Sequence, residues 1–136
     1  MSDTTRRHRD GGGWEELAGY SRAVRRFGHI AVSGTTATAS DGRAEHHGDT
    51  HGQALLALQR AIAAVEALGG GVKDVVRTRM YLAPGADWKA AARAHAEVMG
   101  TVAPANTMIY VAGLVGEGFL VEVELEAETG PDIAGD

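Results

Sequence analysis

The clearest periodicity in the chain lies near its C-terminus. Over residues 119 to about 128, Val121, Val123 and Leu125 alternate with Glu122, Glu124 and Glu126. Such alternation predicts a strand with one buried face. The same period recurs upstream, where Ile30 and Val32 alternate with His29 and Ala31. Segments 20–26 and 27–34 read as two short strands meeting near Gly28, and Ser33-Gly34-Thr35-Thr36 breaks the second. In 72–82, Val76, Thr78, Met80 and Leu82 share one face, while Arg77, Arg79 and Tyr81 share the other. Residues 107–111 form another strand, and 113–118 a connection.

Two segments switch to the helical period. Leu55, Leu58, Ile62 and Val65 fall on one stripe. Thr50 with Gln53 has the form of a capping box, and Gly69-Gly70-Gly71 stops the helix. Asp87 caps a second helix with Trp88, Ala91, His95, Val98 and Met99 on its apolar stripe, closed by Gly100. Between them, 38–49 is a polar loop and Pro84-Gly85 a turn. The order is strand-strand-helix-strand-helix-strand-strand. Two amphipathic helices cannot cover both faces of a sheet. An α+β sandwich with the helices on one face is expected, and the other face is left open or used for assembly. Tyr81 and Ile109, exposed on that face, favour assembly.

The chain has 136 residues, which fits one domain, here 14–130. Residues 1–13, with Arg6-Arg7-His8-Arg9 before Gly11-Gly12-Gly13, read as a flexible tail, and 131–136 as another. There are no cysteines, which excludes disulfides, thiolate metal sites and a Cys nucleophile. No apolar run reaches the roughly 20 residues that span a bilayer, and Met1-Ser2-Asp3 does not open a signal peptide. A cytoplasmic protein with no membrane partner is expected. The net charge of -5 argues against a nucleic-acid partner. His46, His47 and His51 match no standard zinc spacing and lie in or beside a polar loop, so no metal is expected. The glycine run follows a helix rather than preceding one, which is not the form of a phosphate-binding loop. Ser33 has no nucleophile elbow around it.

Five segments in order resemble the RidA/YjgF/UK114 family over about 18–128. They are Tyr20-Ser21-Arg22-Ala23-Val24, Ile30-Ala31-Val32-Ser33-Gly34, Gly71 to Thr78 with Asp87-Trp88, Pro104-Ala105, and Glu122-Val123-Glu124. The resemblance implies a chorismate-mutase-like fold with a mixed sheet. It implies a homotrimer around a central barrel, with clefts for small molecules between subunits. It implies hydrolysis of reactive imines and enamines to ammonia and a 2-keto acid, without metal or cofactor.

The resemblance also assigns residues. The family's carboxylate-gripping arginine follows Pro-Ala, and that place is occupied by Asn106. An amide lacks the charged fork that suits a carboxylate; Asn106 either meets a neutral ligand or bonds neighbouring backbone. Glu122 matches the position that holds the hydrolytic water, with a solvated strand glutamate as the bland alternative. Glu124 and Glu126 take the bland reading. Tyr20, Gly34 and Thr35 match a ligand-lining set. Tyr81 and Trp88 offer apolar walls, Trp88 fitting a core position better. Arg79 or Arg77 is either a replacement cation or, preferably, an ion-pair partner of the last strand. His95 reads as a packed histidine. The expectation is a protein that binds or hydrolyses a small imine, enamine or carbonyl metabolite and is not a standard 2-imino acid deaminase. The alternatives are a non-catalytic metabolite-binding or interaction module and, third, an endoribonuclease, which the acidic balance opposes.

Overall fold

The computed structural model describes residues 4–130. The alternating segments form a six-stranded sheet: β1 Thr5–His8, β2 Ala23–Arg26, β3 His29–Thr36, β4 Val75–Leu82, β5 Ala105–Tyr110 and β6 Val121–Glu128. Their order across the sheet is β1-β2-β3-β6-β4-β5. β4 and β5 run parallel and the other neighbours antiparallel, so the sheet is mixed. The helices are α1 Gly13–Ala18, α2 Thr50–Ala67 and α3 Trp88–Met99, with a 3-10 turn at Val72–Asp74. One sheet face carries Ile30, Val32, Met80, Leu82, Val121, Val123 and Leu125 into the core. α2 meets it with Ala57, Leu58, Ala61 and Val65, and α3 with Ala91, Ala94 and Met99. Small alanine side chains let the two helices approach each other and the sheet closely. The other face stays open, as expected for two helices. No helix among the described residues is long and apolar enough to cross a membrane.

Several local expectations are corrected. The N-terminal segment is not a free tail: β1 pairs with β2, from Thr5 opposite Arg26 to His8 opposite Ala23. The buried Glu15 carboxylate accepts hydrogen bonds from the backbone N–H groups of Asp10, Gly11 and Arg22. A charge taken out of water requires such donors, and here they tie 10–15 to the body. The expected tail at 131–136 lies outside the described residues. β3 is not broken at Ser33-Gly34 but runs on to Thr36, with a register shift between Val32 and Thr35. The glycine marks a bulge, not an end. A second shift between Val75 and Arg77 turns Val76 out of the core, leaving it 46% exposed, while Thr78, Met80 and Leu82 stay buried.

Thr50 and Gln53 do not form a capping box. Asp49 caps α2 by accepting from the Gly52 N–H, and the Thr50 hydroxyl accepts from the Asp87 N–H. Gln53 is fully buried and bridges outward: Nε2 donates to the Gly118 carbonyl at 2.9 Å, and Oε1 accepts from the Leu120 N–H at 2.8 Å. Trp88 is not a core residue. It is 52% exposed, and α3 buries Ala90, Ala91, Ala94 and Met99 instead. Trp88 lines a cavity together with Met108 and Tyr110 of the edge strand.

Gln53→Leu is expected to lower stability by about 1–3 kcal/mol, because it removes two hydrogen bonds from a fully buried amide to the Gly118 carbonyl and the Leu120 N–H. Urea unfolding checks this; an unchanged midpoint would show that water takes over both bonds.

Candidate active site

The bulge in β3 places the Gly34 backbone directly against Glu122 of β6. A methyl group built at residue 34 would collide with the Glu122 carboxylate, so the glycine leaves room for the carboxylate where it stands. Glu122, Gly34, Thr35 and Tyr20 line one cavity of about 820 Å³. Four of the residues selected from the sequence are therefore brought together. The cavity extends past Trp14 and Phe119 to Arg60, whose guanidinium donates to the Thr38 carbonyl and pairs with Glu45 at 3.0 Å.

Sequence reasoning missed Arg22. Its Nη1 donates to the Gly34 carbonyl and, at 3.0 Å, to the Thr35 hydroxyl; Nη2 donates to the Tyr20 hydroxyl at 3.1 Å. The guanidinium carbon lies 5.5 Å from the Tyr20 ring centroid, and Nε is 3.6 Å from Asp10 Oδ2. Arg22 thus ties together the lining of the cavity. No alternation marks it, because Arg22 lies at a bend just before β2, two residues from Tyr20.

The four glutamates of β6 are not equivalent, and Glu128 lies 2.6 Å from His29 Nδ1. Glu124 and Glu126 lie 3.7 and 3.1 Å from Arg79 Nη1. The Tyr81 hydroxyl donates to Glu124, and His29 lies 3.5 Å from Glu126. Arg79 therefore takes the ion-pair role, and Tyr81 serves the same network; neither lines the cavity. Among the described residues, no cation forms a salt bridge to Glu122. Burial pushes its carboxyl above the usual range, the Arg22 charge opposes this, and Glu124 adds to it.

Asn106 lies elsewhere. It pairs in register with Thr78, and so shares the helix-covered face of the sheet. Glu122 pairs with Tyr81, on the open face. Asn106 lines a smaller, largely apolar cavity of about 380 Å³ with Trp88, Met108 and Tyr110. Its Nδ2 donates to Thr78 Oγ1 at 3.0 Å, and Thr78 Oγ1 lies 2.7 Å from His95 Nε2. Ser33 donates to the Ser21 carbonyl and is a structural hydroxyl. His51 pairs with Glu97 at 3.0 Å, and among the described residues no group of three potential ligands is placed to hold a metal.

The mixed sheet and its one-sided helix layer define an α+β sandwich. The family profile described as Endoribonuclease L-PSP matches residues 14–129. An uncharacterized protein of Streptomyces coelicolor is 38% identical over 129 residues, 95% of this chain and 96% of its own. A Mycobacterium tuberculosis member of the YjgF/YER057c/UK114 family superposes with a TM-score of 0.81 at 34% identity, covering 92% of this chain and 99% of its own. The YjgF gene product of E. coli superposes at 0.71 with 25% identity, covering 80% and 87%. The chain belongs to the RidA/YjgF/UK114 family.

The raised carboxyl of Glu122 gives a signed prediction. A folded state that holds the proton more tightly than the unfolded state loses stability as pH rises from the unfolded towards the folded pKa. Glu122→Gln stays neutral throughout. It is expected to melt above the parent at pH 7, with the gap closing below the ordinary glutamate value of about 4.3. Thermal melts at pH 4 and 7 decide this; equal melting at both would mean Arg22 offsets the burial in full.

Proposed function

We propose that this protein hydrolyses a small imine or enamine, or binds the corresponding carbonyl compound, in a cleft completed by a second copy of the chain. The observation that carries the reading is Glu122 itself. It is half-buried, free of a salt bridge among the described residues, pressed against Gly34 and aimed into a cavity beside Arg22 and Tyr20. Retaining a desolvated carboxylate costs stability, and such groups gather where function uses them.

The chemistry follows from the group. A carboxylate whose pKa is raised is a stronger base towards water. Glu122 takes a proton as the water oxygen attacks the C=N carbon. The nitrogen gains that proton to give a carbinolamine; the carbinolamine hydroxyl then passes its proton through Glu122 to the nitrogen as the C–N bond breaks, and ammonia and a carbonyl compound leave. An enamine first takes a proton on carbon to become the imine. The Tyr20 hydroxyl accepts from Arg22 and keeps its own proton for a polar group of the ligand, while the Thr35 proton goes to the Ser33 carbonyl; the Arg22 charge favours the ionised form of Glu122 against its burial.

Glu122 and Asn106 occupy opposite faces of one sheet, so a cleft holding both takes one wall from another subunit. The exposed edge supports this: Ile109 and Tyr110 of β5 are 47% and 52% exposed, next to Trp88. The family resemblance supports a homotrimer as the assembly. The absence of a charged fork at Asn106 speaks against the 2-imino acids of simple amino acids as preferred substrates.

The name of the family profile points instead to RNA cleavage, as does the name of a structural neighbour, a putative endoribonuclease from Thermotoga maritima. That neighbour is 22% identical, so its likeness speaks for the fold alone. The net charge of -5 opposes RNA as the ligand here.

Light scattering at micromolar concentration is expected to give a trimer; a monomer would remove the composite cleft. Glu122→Gln is expected to reduce imine hydrolysis about 10²–10⁴-fold, the usual contribution of a positioned base. The substrate is a neutral imine generated in situ, with ammonia release as the readout. Undiminished turnover in the variant would sink the role of Glu122. Turnover of 2-aminoacrylate is expected to be low, and rapid release of pyruvate would show that another cation grips the carboxylate.

A further inference from the structure

Asn106 is held by a chain of hydrogen bonds that fixes which end of its amide faces the cavity. Nδ2 is the atom at 3.0 Å from Thr78 Oγ1, and Thr78 is fully buried. Since the threonine oxygen accepts from Asn106, its own proton is free for His95 Nε2, 2.7 Å away. With that nitrogen as the acceptor, the ring proton lies on Nδ1. Burial lowers the His95 pKa and disfavours the imidazolium, in keeping with an accepting Nε2. The three side chains form one directed series running inward from the cavity wall.

The series has a consequence at the wall. One Nδ2 proton is spent inside, leaving Asn106 with its carbonyl oxygen, both lone pairs intact, and one N–H. The rest of the lining is apolar: Leu82, Trp88, Ala92 and Met108. Tyr110 contributes its ring, because its hydroxyl donates to the Ala86 carbonyl at 2.6 Å. Lys89 sits 5.7 Å from the Trp88 ring centroid and does not line the cavity. A carboxylate would bring two acceptor oxygens and a charge to a wall whose main polar atom is another acceptor. It would lose solvation with no cation in this wall to meet it.

We infer that Asn106, oriented by Thr78 and His95, selects an uncharged ligand bearing a hydrogen-bond donor, with a primary carboxamide as the best complement. A carboxamide donates to Asn106 Oδ1 and can accept from the remaining N–H. The inference rests on the proposed carbonyl-binding cleft and names the class of ligand it takes. Asn106 is a binding residue in this scheme; Thr78 and His95 are positioning residues.

The test uses the full-length protein and three probes of similar size, titrated calorimetrically. Pyruvamide is neutral with a donor, methyl pyruvate is neutral without one, and pyruvate is charged. Pyruvamide is expected to bind about tenfold or more tighter than either of the others, one decade being a modest hydrogen-bond effect. In Thr78→Val the amide is free to turn, so methyl pyruvate should gain and the preference shrink severalfold. A readout without ligand covers the case in which that variant fails to fold: in the wild-type NMR spectrum one Asn106 Nδ2 proton should exchange slowly and lie close to Thr78. Two rapidly exchanging protons there, or pyruvate binding best, would overturn the inference while leaving the cleft reading intact. Binding of none of the three probes would remove the carbonyl-site reading and this inference with it.

Discussion

Strand β6 is hydrogen-bonded on both sides, to β3 and to β4, and its alternation organises both the core and the site. Val121, Val123, Leu125 and Ala127 face the helices and are buried. The intervening glutamates are thereby forced onto the open face, since the side-chain period of a strand is two. A shift of one residue would exchange the two sets, burying four carboxylates and exposing the core. That cost locks the register. It also fixes where Glu122 stands relative to the bulge in β3, so the position of the carboxylate is a by-product of the core rather than of any local contact.

The buried charges divide according to how completely they are satisfied. Arg25 is 2% exposed, and its guanidinium donates to the carbonyls of Phe27, Leu68 and Gly130. A cation meeting the Leu68 carbonyl also sits well against the negative end of α2. Glu15 is likewise saturated by three backbone donors. These two groups hold the N-terminal hairpin and its approach segment. Arg22 differs. Its Nε is buried without a hydrogen-bond partner, and its remaining donors converge on the residues beside Glu122. Unsatisfied capacity next to a desolvated carboxylate marks a place where the interior has been left incomplete, and a ligand is one way to complete it.

Much of the fold was legible because alternation and helical spacing are local. The strand pattern of 119–128, the two helical stripes and the one-sided helix layer required no knowledge of partners. The errors came from distant contacts. Gln53 looked like a cap because Thr50 preceded it by three residues, yet its amide serves the backbone at Gly118 and Leu120. The basic N-terminal run looked solvated, because nothing local shows that Glu15 gathers the surrounding N–H groups. Bulges at Ser33-Gly34 and near Val76 break periodicity by one residue and leave no signal beyond a glycine. Within the site, Glu122, Gly34, Thr35 and Tyr20 were found through the family resemblance. Arg22 belongs to the same segment as Tyr20 but carries no periodic signal of its own. The face that Asn106 occupies depends on its parallel register with Thr78, which no short-range pattern encodes.

The two halves of the candidate site sit on elements with different freedom to vary. Glu122 belongs to a central strand whose opposite face is core, so its surroundings are constrained by packing that extends through the whole molecule. Asn106 belongs to β5, an edge strand paired only with β4 and mostly exposed. A substitution there disturbs one ladder and one helix contact. Ligand preference can therefore change at residue 106 and its supports, Thr78 and His95, while the carboxylate, the bulge and the arginine beside it remain in place. An amide standing where the family resemblance places a guanidinium is the kind of change this arrangement tolerates. On the proposed reading, such a change would alter what the cleft recognises and leave the position of Glu122 as it is.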